Sequence, residues 1–247
     1  MAGPVRRRWT SVACLAFAAA GLRGEESAAR ALLRAAVAAQ GSARAVAAIR
    51  SVTAVADCTG PKGAVFTTEV VSERPDRTRF RQNFAGVWTE LTVVGDRGWT
   101  RDEKTGRALA IPKDLVGVVR GHEFHFLFLD LDRRNRDARS AGRDTVRGRP
   151  CLVVAMTDPG GRPASVCIDE ETKLPARLSY EPPGGPKPGT IHVFPTAWQT
   201  VAGVRWVSAF ELRQNDEVFT YRYRSIRPNV VDPGIFSIPS ELGAGSS

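Results

Sequence analysis

Lysine is scarce in this chain of 247 residues: Lys62, Lys104, Lys113, Lys173 and Lys187 stand against thirty arginines. The net charge of +9 invites a nucleic-acid reading. The arginines are scattered, however, and no nucleic-acid-binding motif accompanies them, so nucleic acid is not an expected partner. Together with abundant alanine and glycine, the bias reads as the imprint of GC-rich coding. Long apolar runs are missing as well. Beyond the N-terminus nothing approaches the roughly 18 residues of a spanning helix, which excludes a helical membrane anchor in the body of the chain. Enzyme signatures are absent: no G-x-S-x-G elbow, no phosphate loop, no dinucleotide fingerprint. Histidine occurs three times. "HEFH" places His122 and His125 three apart around Glu123, but this is not H-E-x-x-H, and His192 lies far along the chain. The acidic "DEET" of residues 169–172 reads as a turn at a strand end. No metal, cofactor or catalytic residue is expected, and the protein is expected not to be an enzyme.

What the N-terminus does contain is "MAGPVRRRWTSVACLAFAAAGLRGEES". Three arginines precede an apolar stretch from Trp9 to about Leu22, and small residues suited to cleavage follow, the layout of a secretory signal peptide over residues 1–22. Loss of residues 1–20 removes three arginines, which lowers +9 to +6. Cys14 in "SVAC" offers a lipidation site as the lesser alternative, since Ser11 stands where leucine is usual and the apolar run continues past the cysteine. In an oxidising compartment Cys58, Cys151 and Cys167 allow one disulfide. Cys151 and Cys167 flank a hairpin and are the favoured pair, with three buried thiols as the alternative.

Residues 25–50 read as helix, with Leu32, Leu33, Ala36 and Val37 on one stripe and a break at Gly41-Ser42. The hydrophobic period then falls to two. About ten to twelve short strands follow, separated by Gly, Pro, Asp and Asn. "PKDLVGVVRGHEFHFLFLDLDRR" interrupts them as an apolar, helical or loop-like plug. "DPGGRP" marks a clear hairpin, "EPPGGPKPG" an exposed loop, and residues 240–247 a disordered tail. So many hairpin-length connections with two helical regions predict an α+β fold, one domain over residues 25–239. It is a large antiparallel sheet that must curl, because strand twist accumulates.

Alternation assigns the faces. Val204, Trp206, Phe210 and Leu212 oppose Arg205, Glu211 and Arg213, while Phe219, Tyr221 and Tyr223 oppose Arg222 and Arg224. In "SERPDRTRFRQ" and its continuation, Thr78, Phe80, Gln82 and Phe84 oppose Arg77, Arg79, Arg81 and Asn83. Those arginines read as a solvated strand face, and Arg74, beside Pro75, falls outside the alternation. A sheet coiled around its helices either leaves an apolar cavity, the usual form of a binding site, or is filled by them; the residues themselves leave both open.

Several pieces, in order, resemble the LolA/LolB-like superfamily of periplasmic lipoprotein carriers: "SERPDRTRF", "VVGDRGWTRDEKTGRALAIP", "DEETKLPARL" and the closing "GIFSIP". The resemblance covers most of residues 25–239, with departures at Glu73, where the family carries lysine, and at the proline-rich loop. It implies an incomplete β-barrel lidded by helices, with lipid or lipoprotein acyl chains in an apolar cavity. Leu32, Val37 and Ile49 would then line it from the lid, Phe66, Phe80, Trp99, Trp206 and Phe210 from the sheet, and Phe124, Phe126 and Phe128 as the mobile plug. Arg74 falls on the family's arginine before proline, which there couples the lid to cargo. The resemblance implies a periplasmic monomer that works with a membrane-bound donor or acceptor in outer-membrane lipoprotein sorting. The alternative is an envelope sensor or protein-interaction module with a filled core.

Overall fold

The computed structural model describes residues 26, 28–102, 104–181 and 189–243. The predicted leader, Cys14, most of the proline-rich loop and the last four residues lie outside the described residues. Helix α1 covers residues 28–38 and α2 Ala43–Ala48, the latter capped by the Ser42 side chain on the Ala45 N–H. A first meander follows: β1 Ser51–Thr59, β2 Val65–Glu73, β3 Arg77–Phe84, β4 Val87–Val94, β5 Arg97–Arg101 and β6 Ala108–Ala110. Three short helices come next, α3 Lys113–Arg120, α4 Phe124–Leu129 and α5 Leu131–Arg134. A second meander holds β7 Arg136–Val146, β8 Arg149–Thr157, β9 Pro163–Asp169, β10 Pro175–Tyr180, β11 Ile191–Val201, β12 Val204–Gln214 and β13 Glu217–Pro228. A 3₁₀ turn at Pro233–Phe236 and helix α6, Ser240–Gly243, close the described chain.

All thirteen strands form one antiparallel sheet in the order β6-β5-β4-β3-β2-β1-β13-β12-β11-β10-β9-β8-β7. The meanders meet along β1–β13, and the outer strands β6 and β7 leave the sheet open, not closed into a barrel. The segment α3–α5 joins one edge of the sheet to the other, so it must cross the sheet. Its route explains why "FHFLFL" is so apolar: in α4 every residue but Leu127 is buried, and Leu127 packs against the main core. Among the described residues no helix is long and apolar enough to cross a membrane.

Register identifies the concave face. Val52, Ala54, Ala56 and Cys58 of β1 enter the cores beneath the helices, with Phe66, Phe210, Tyr221 and Ile226 from neighbouring strands. Their small size on the central strand lets the plug approach. Thr53, on the opposite side of β1, donates its hydroxyl to the Val230 carbonyl at 2.6 Å, so the C-terminal segment runs over the convex face. There the 3₁₀ turn packs against β3 and β4, and α6 against β6.

Four expectations change. Strands β1, β6 and β7 were not foreseen, and the tail expected to be disordered opens with the helical turn of α6. Cys58, Cys151 and Cys167 are free, buried thiols. Cys151 lies opposite Asp169 and Cys167 opposite Val153, a diagonal relation that holds the two β-carbons farther apart than the roughly 4 Å of a disulfide. Burial also pushes Cys58 up to about 12 and Cys167 to about 11, so neither is a reactive thiolate. Finally, Arg79 and Arg81 are not a free solvated face. Across β2, β3 and β4 they alternate with Glu69 and Glu90, with Arg79 2.7 Å from Glu69 and Arg81 3.4 Å from Glu90.

Candidate functional site

Most of the sequence-predicted lining residues lie in the core that the crossover helices complete. Phe124 meets Phe210 at 4.6 Å and Tyr221 at 6.0 Å between ring centres, and Phe210 stacks on Tyr221 at 4.4 Å. Phe66 joins edge-on. Phe128 faces Trp198, and its carbonyl accepts from the Gln40 amide at 3.1 Å, which fastens α1 to α4. Phe126 packs with Ile49 and Trp206, and Leu32 and Val37 of α1 lie half-buried at the rims of these clusters. Phe80 sits under α3 against His122. Trp99 departs from the expectation. Gly98, its neighbour, faces α3, where an added Cβ would come within 2.9 Å of Val116. Trp99 therefore points to the convex face and does not line the concave one.

Arg74 holds a different position. Its guanidinium makes a two-point contact with Asp130 at 2.7 and 3.2 Å, and donates to the carbonyls of Ile49 at 2.6 Å and Val46 at 3.3 Å. It also lies 4.7 Å above the Phe126 ring. The carbonyls are the open C-terminal end of α2, and Asp130 caps α4, so one side chain clasps two helices to the β2–β3 turn. An arginine fork suits this arrangement, since its donors leave in several fixed directions. Burial pulls the Arg74 pKa down and Asp130 opposes that pull.

A second polar centre lies alongside. Glu123, buried at the start of α4, accepts from Arg134 at 2.9 Å, Arg120 at 3.2 Å and the Thr78 hydroxyl. Arg120 also donates to the carbonyls of Asp76 and Gly95, each at 2.7 Å, which ties α3 to the β2–β3 and β4–β5 turns. The two histidines of "HEFH" have partners of their own. The His122 ring faces the Val118 carbonyl and the His125 ring the Val207 carbonyl. Burial lowers both pKa values, His125 to about 4, so both rings are neutral near pH 7. Among the described residues no three potential metal ligands converge.

Two concavities open around this polar centre. The first, of about 370 Å³, is a cleft between α3 and strands β9 and β10. Its apolar wall is Val116, Leu127, Ala164, Leu178 and Tyr180, and the β8–β9 turn closes one side. The Tyr180 hydroxyl, fixed on the Gly121 carbonyl at 2.9 Å, leaves its ring to the cleft. The second, of about 640 Å³, is polar and is walled by Arg50, Arg74, Asp76, Arg120, Asp130, Arg133 and Arg134. Arg120, Arg134 and Pro159 belong to both, so the apolar cleft adjoins the arginine-lined bowl. Of the twelve residues predicted from sequence, only Arg74 lines either space. Sequence reading missed Val116, Leu178 and Tyr180. What hid them is that α3 approaches β10 only through the crossover.

The sequence matches no protein-family model and no curated protein. Solved structures share its fold. A DUF1329 family protein from Desulfovibrio piger superposes with a TM-score of 0.61 at 14% identity, covering 86% of this chain and 97% of that one. A LolA superfamily protein from Nitrosomonas europaea gives 0.58 at 9% identity, covering 85% and 97%. A domain from Vibrio parahaemolyticus, assigned to the outer membrane lipoprotein-sorting proteins, gives 0.50 at 11%, covering 75% and 88%. At such identities the likeness establishes the fold alone, an open, curved antiparallel sheet with helices crossing its concave face.

Proposed function

We propose that the protein is an exported, non-enzymatic binding protein that shelters the acyl chain of a lipid or lipoprotein in the cleft between α3 and β10. The observation that carries this is the cleft itself, a preformed apolar space within the size range of small-ligand sites, about 300–1,000 Å³. At its volume it suits one chain and not several. Transfer of an acyl chain from water contributes about 0.8 kcal/mol per buried CH₂, enough for a handful of methylenes to give useful affinity. The half-barrel shared with a LolA superfamily protein and a lipoprotein-sorting domain supports the same reading. In this reading the protein is a periplasmic monomer, carried out by residues 1–22, that exchanges cargo with a membrane-bound donor or acceptor. Phe66, Phe124, Phe128 and Phe210 would meet cargo only if the α4 plug withdrew.

The packed centre favours a second reading, an interaction module that holds no lipid, because the helices fill the concave face. Native mass spectrometry of protein purified from the periplasm without detergent separates them. Added mass matching a lipid or acylated peptide is the expected result. Bare polypeptide that also ignores a fluorescent acyl probe would overturn the carrier reading. Gly117→Phe supplies the internal control: the ring would enter the cleft from α3, where replacing glycine also favours the helix. It should weaken the probe at least tenfold while the protein stays folded.

A further inference from the structure

We infer that the ligand of the cleft carries an anionic head, a carboxylate or phosphate monoester, and that the arginine bowl receives it. This rests on the proposed chain-binding role of the cleft and names the chemistry at its other end. The bowl and its rim gather Arg50, Arg74, Arg120, Arg133 and Arg134 against three carboxylates, Asp76, Asp130 and Glu123. Five positive charges face three negative ones, so the concavity holds two positive charges in excess. Two of the arginines are already committed. Arg74 is tied up by Asp130 and the α2 carbonyls, and Arg120 by Glu123 and two turn carbonyls. They form the wall.

The free donors belong to the other three. Arg50 is exposed and has no carboxylate partner among the described residues, yet its charge falls on Arg74 and opposes it. Arg133 makes one contact with Asp130 at 3.0 Å and keeps 67% of its side chain exposed. Arg134 gives one nitrogen to Glu123 and stands where bowl and cleft join. Like-charged guanidiniums that share one carboxylate repel each other, and a concave site concentrates their field. An anion relieves that repulsion and offers oxygens that match the guanidinium fork. A neutral head gains only ordinary hydrogen bonds there, and a cationic head is repelled. The adjoining apolar cleft then selects an anion that bears a chain.

The test is calorimetric titration of the full-length mature protein with single-chain probes below their micelle concentrations: dodecyl phosphate, dodecanoate, dodecanol and dodecyltrimethylammonium, with inorganic phosphate beside them. The two anionic probes are expected to bind at least tenfold more tightly than dodecanol, with the advantage shrinking as salt rises. In the R50Q/R133Q double variant they should fall to the dodecanol level, while dodecanol itself is unchanged. Equal affinity for dodecyl phosphate and dodecanol, or an anionic preference that survives in the double variant, overturns the head-group inference and leaves chain binding intact. Inorganic phosphate binding as tightly as dodecyl phosphate, and lost in the variant, keeps the anion site but overturns its link to a lipid. If no dodecyl compound binds, the chain-binding reading itself falls and takes this inference with it.

Discussion

Arg74 is held from three sides, which sets what its loss would do. Removing the guanidinium strands Asp130 with only the exposed Arg133 and frees the last carbonyls of α2. Breaking a largely buried pair typically costs about 3–5 kcal/mol, less where solvent reaches it. Arg74→Leu is therefore expected to lower stability by about 2–4 kcal/mol in urea denaturation, against under about 1 kcal/mol for Arg133→Leu. Equal effects would mean that the clasp does not bear on folding. His125 yields a pH dependence. With a folded pKa of about 4 against an ordinary 6.5, the unfolded chain takes up a proton that the folded chain refuses. This group should thus withdraw stability as pH drops from about 6.5 to 4, by on the order of 3 kcal/mol. His125→Leu should flatten much of that slope in melting curves; His122 and His192, which burial also holds below the ordinary value, contribute to the rest. At this scale the sequence was partly legible. Arg74 stood out because it broke an alternation and preceded a proline. Glu123 was read only as the middle of a histidine motif, because its three partners come from residues 78, 120 and 134.

Among the elements, the crossover helices depend on one close approach. Gly98 lies opposite Val93 on β4, and a Cβ there would come within 2.7 Å of Ile111 and 2.9 Å of Val116. Gly98→Ala should cost about 1–3 kcal/mol through overpacking. If α3 is displaced as expected, the variant should also bind the acyl probe more weakly, because Val116 lines the cleft. An alanine variant as stable as wild type would show that α3 tolerates a looser seat. Strands with large alternating residues, such as β3, β12 and β13, could be read directly. "SVTAVADCT" could not, because β1 is buried on both faces of much of its length and its core side is small. "RDARSAGRDTV" failed for the opposite reason: as edge strand β7 it buries almost nothing, so no period of two marks it.

For the molecule as a whole, curvature could be argued from strand count and twist, and openness was implied only by the resemblance; the pairing of first and last strands could be read from neither. Nothing in the pattern of β1 says that its neighbours are β2 and β13. The cleft was hidden for the same reason, since its walls come from distant stretches brought together by that arrangement. The join also governs how the chain can be made. The backbone N–H of Arg50 bonds the Asn229 side chain across 179 residues, and the rows of bonds between β1 and β13 lie beneath it. Contacts so remote in sequence form late and slowly. Until synthesis reaches residue 228, β1 is an unpaired edge in the middle of the future sheet, and unpaired edges recruit strands from other chains. A chain stopped before Glu217 should accordingly form intermolecular β-structure, visible as aggregates in size-exclusion chromatography, whereas one stopped after Asn229 should remain dispersed. The last strand to be made is the one on which the protein's solubility during birth depends.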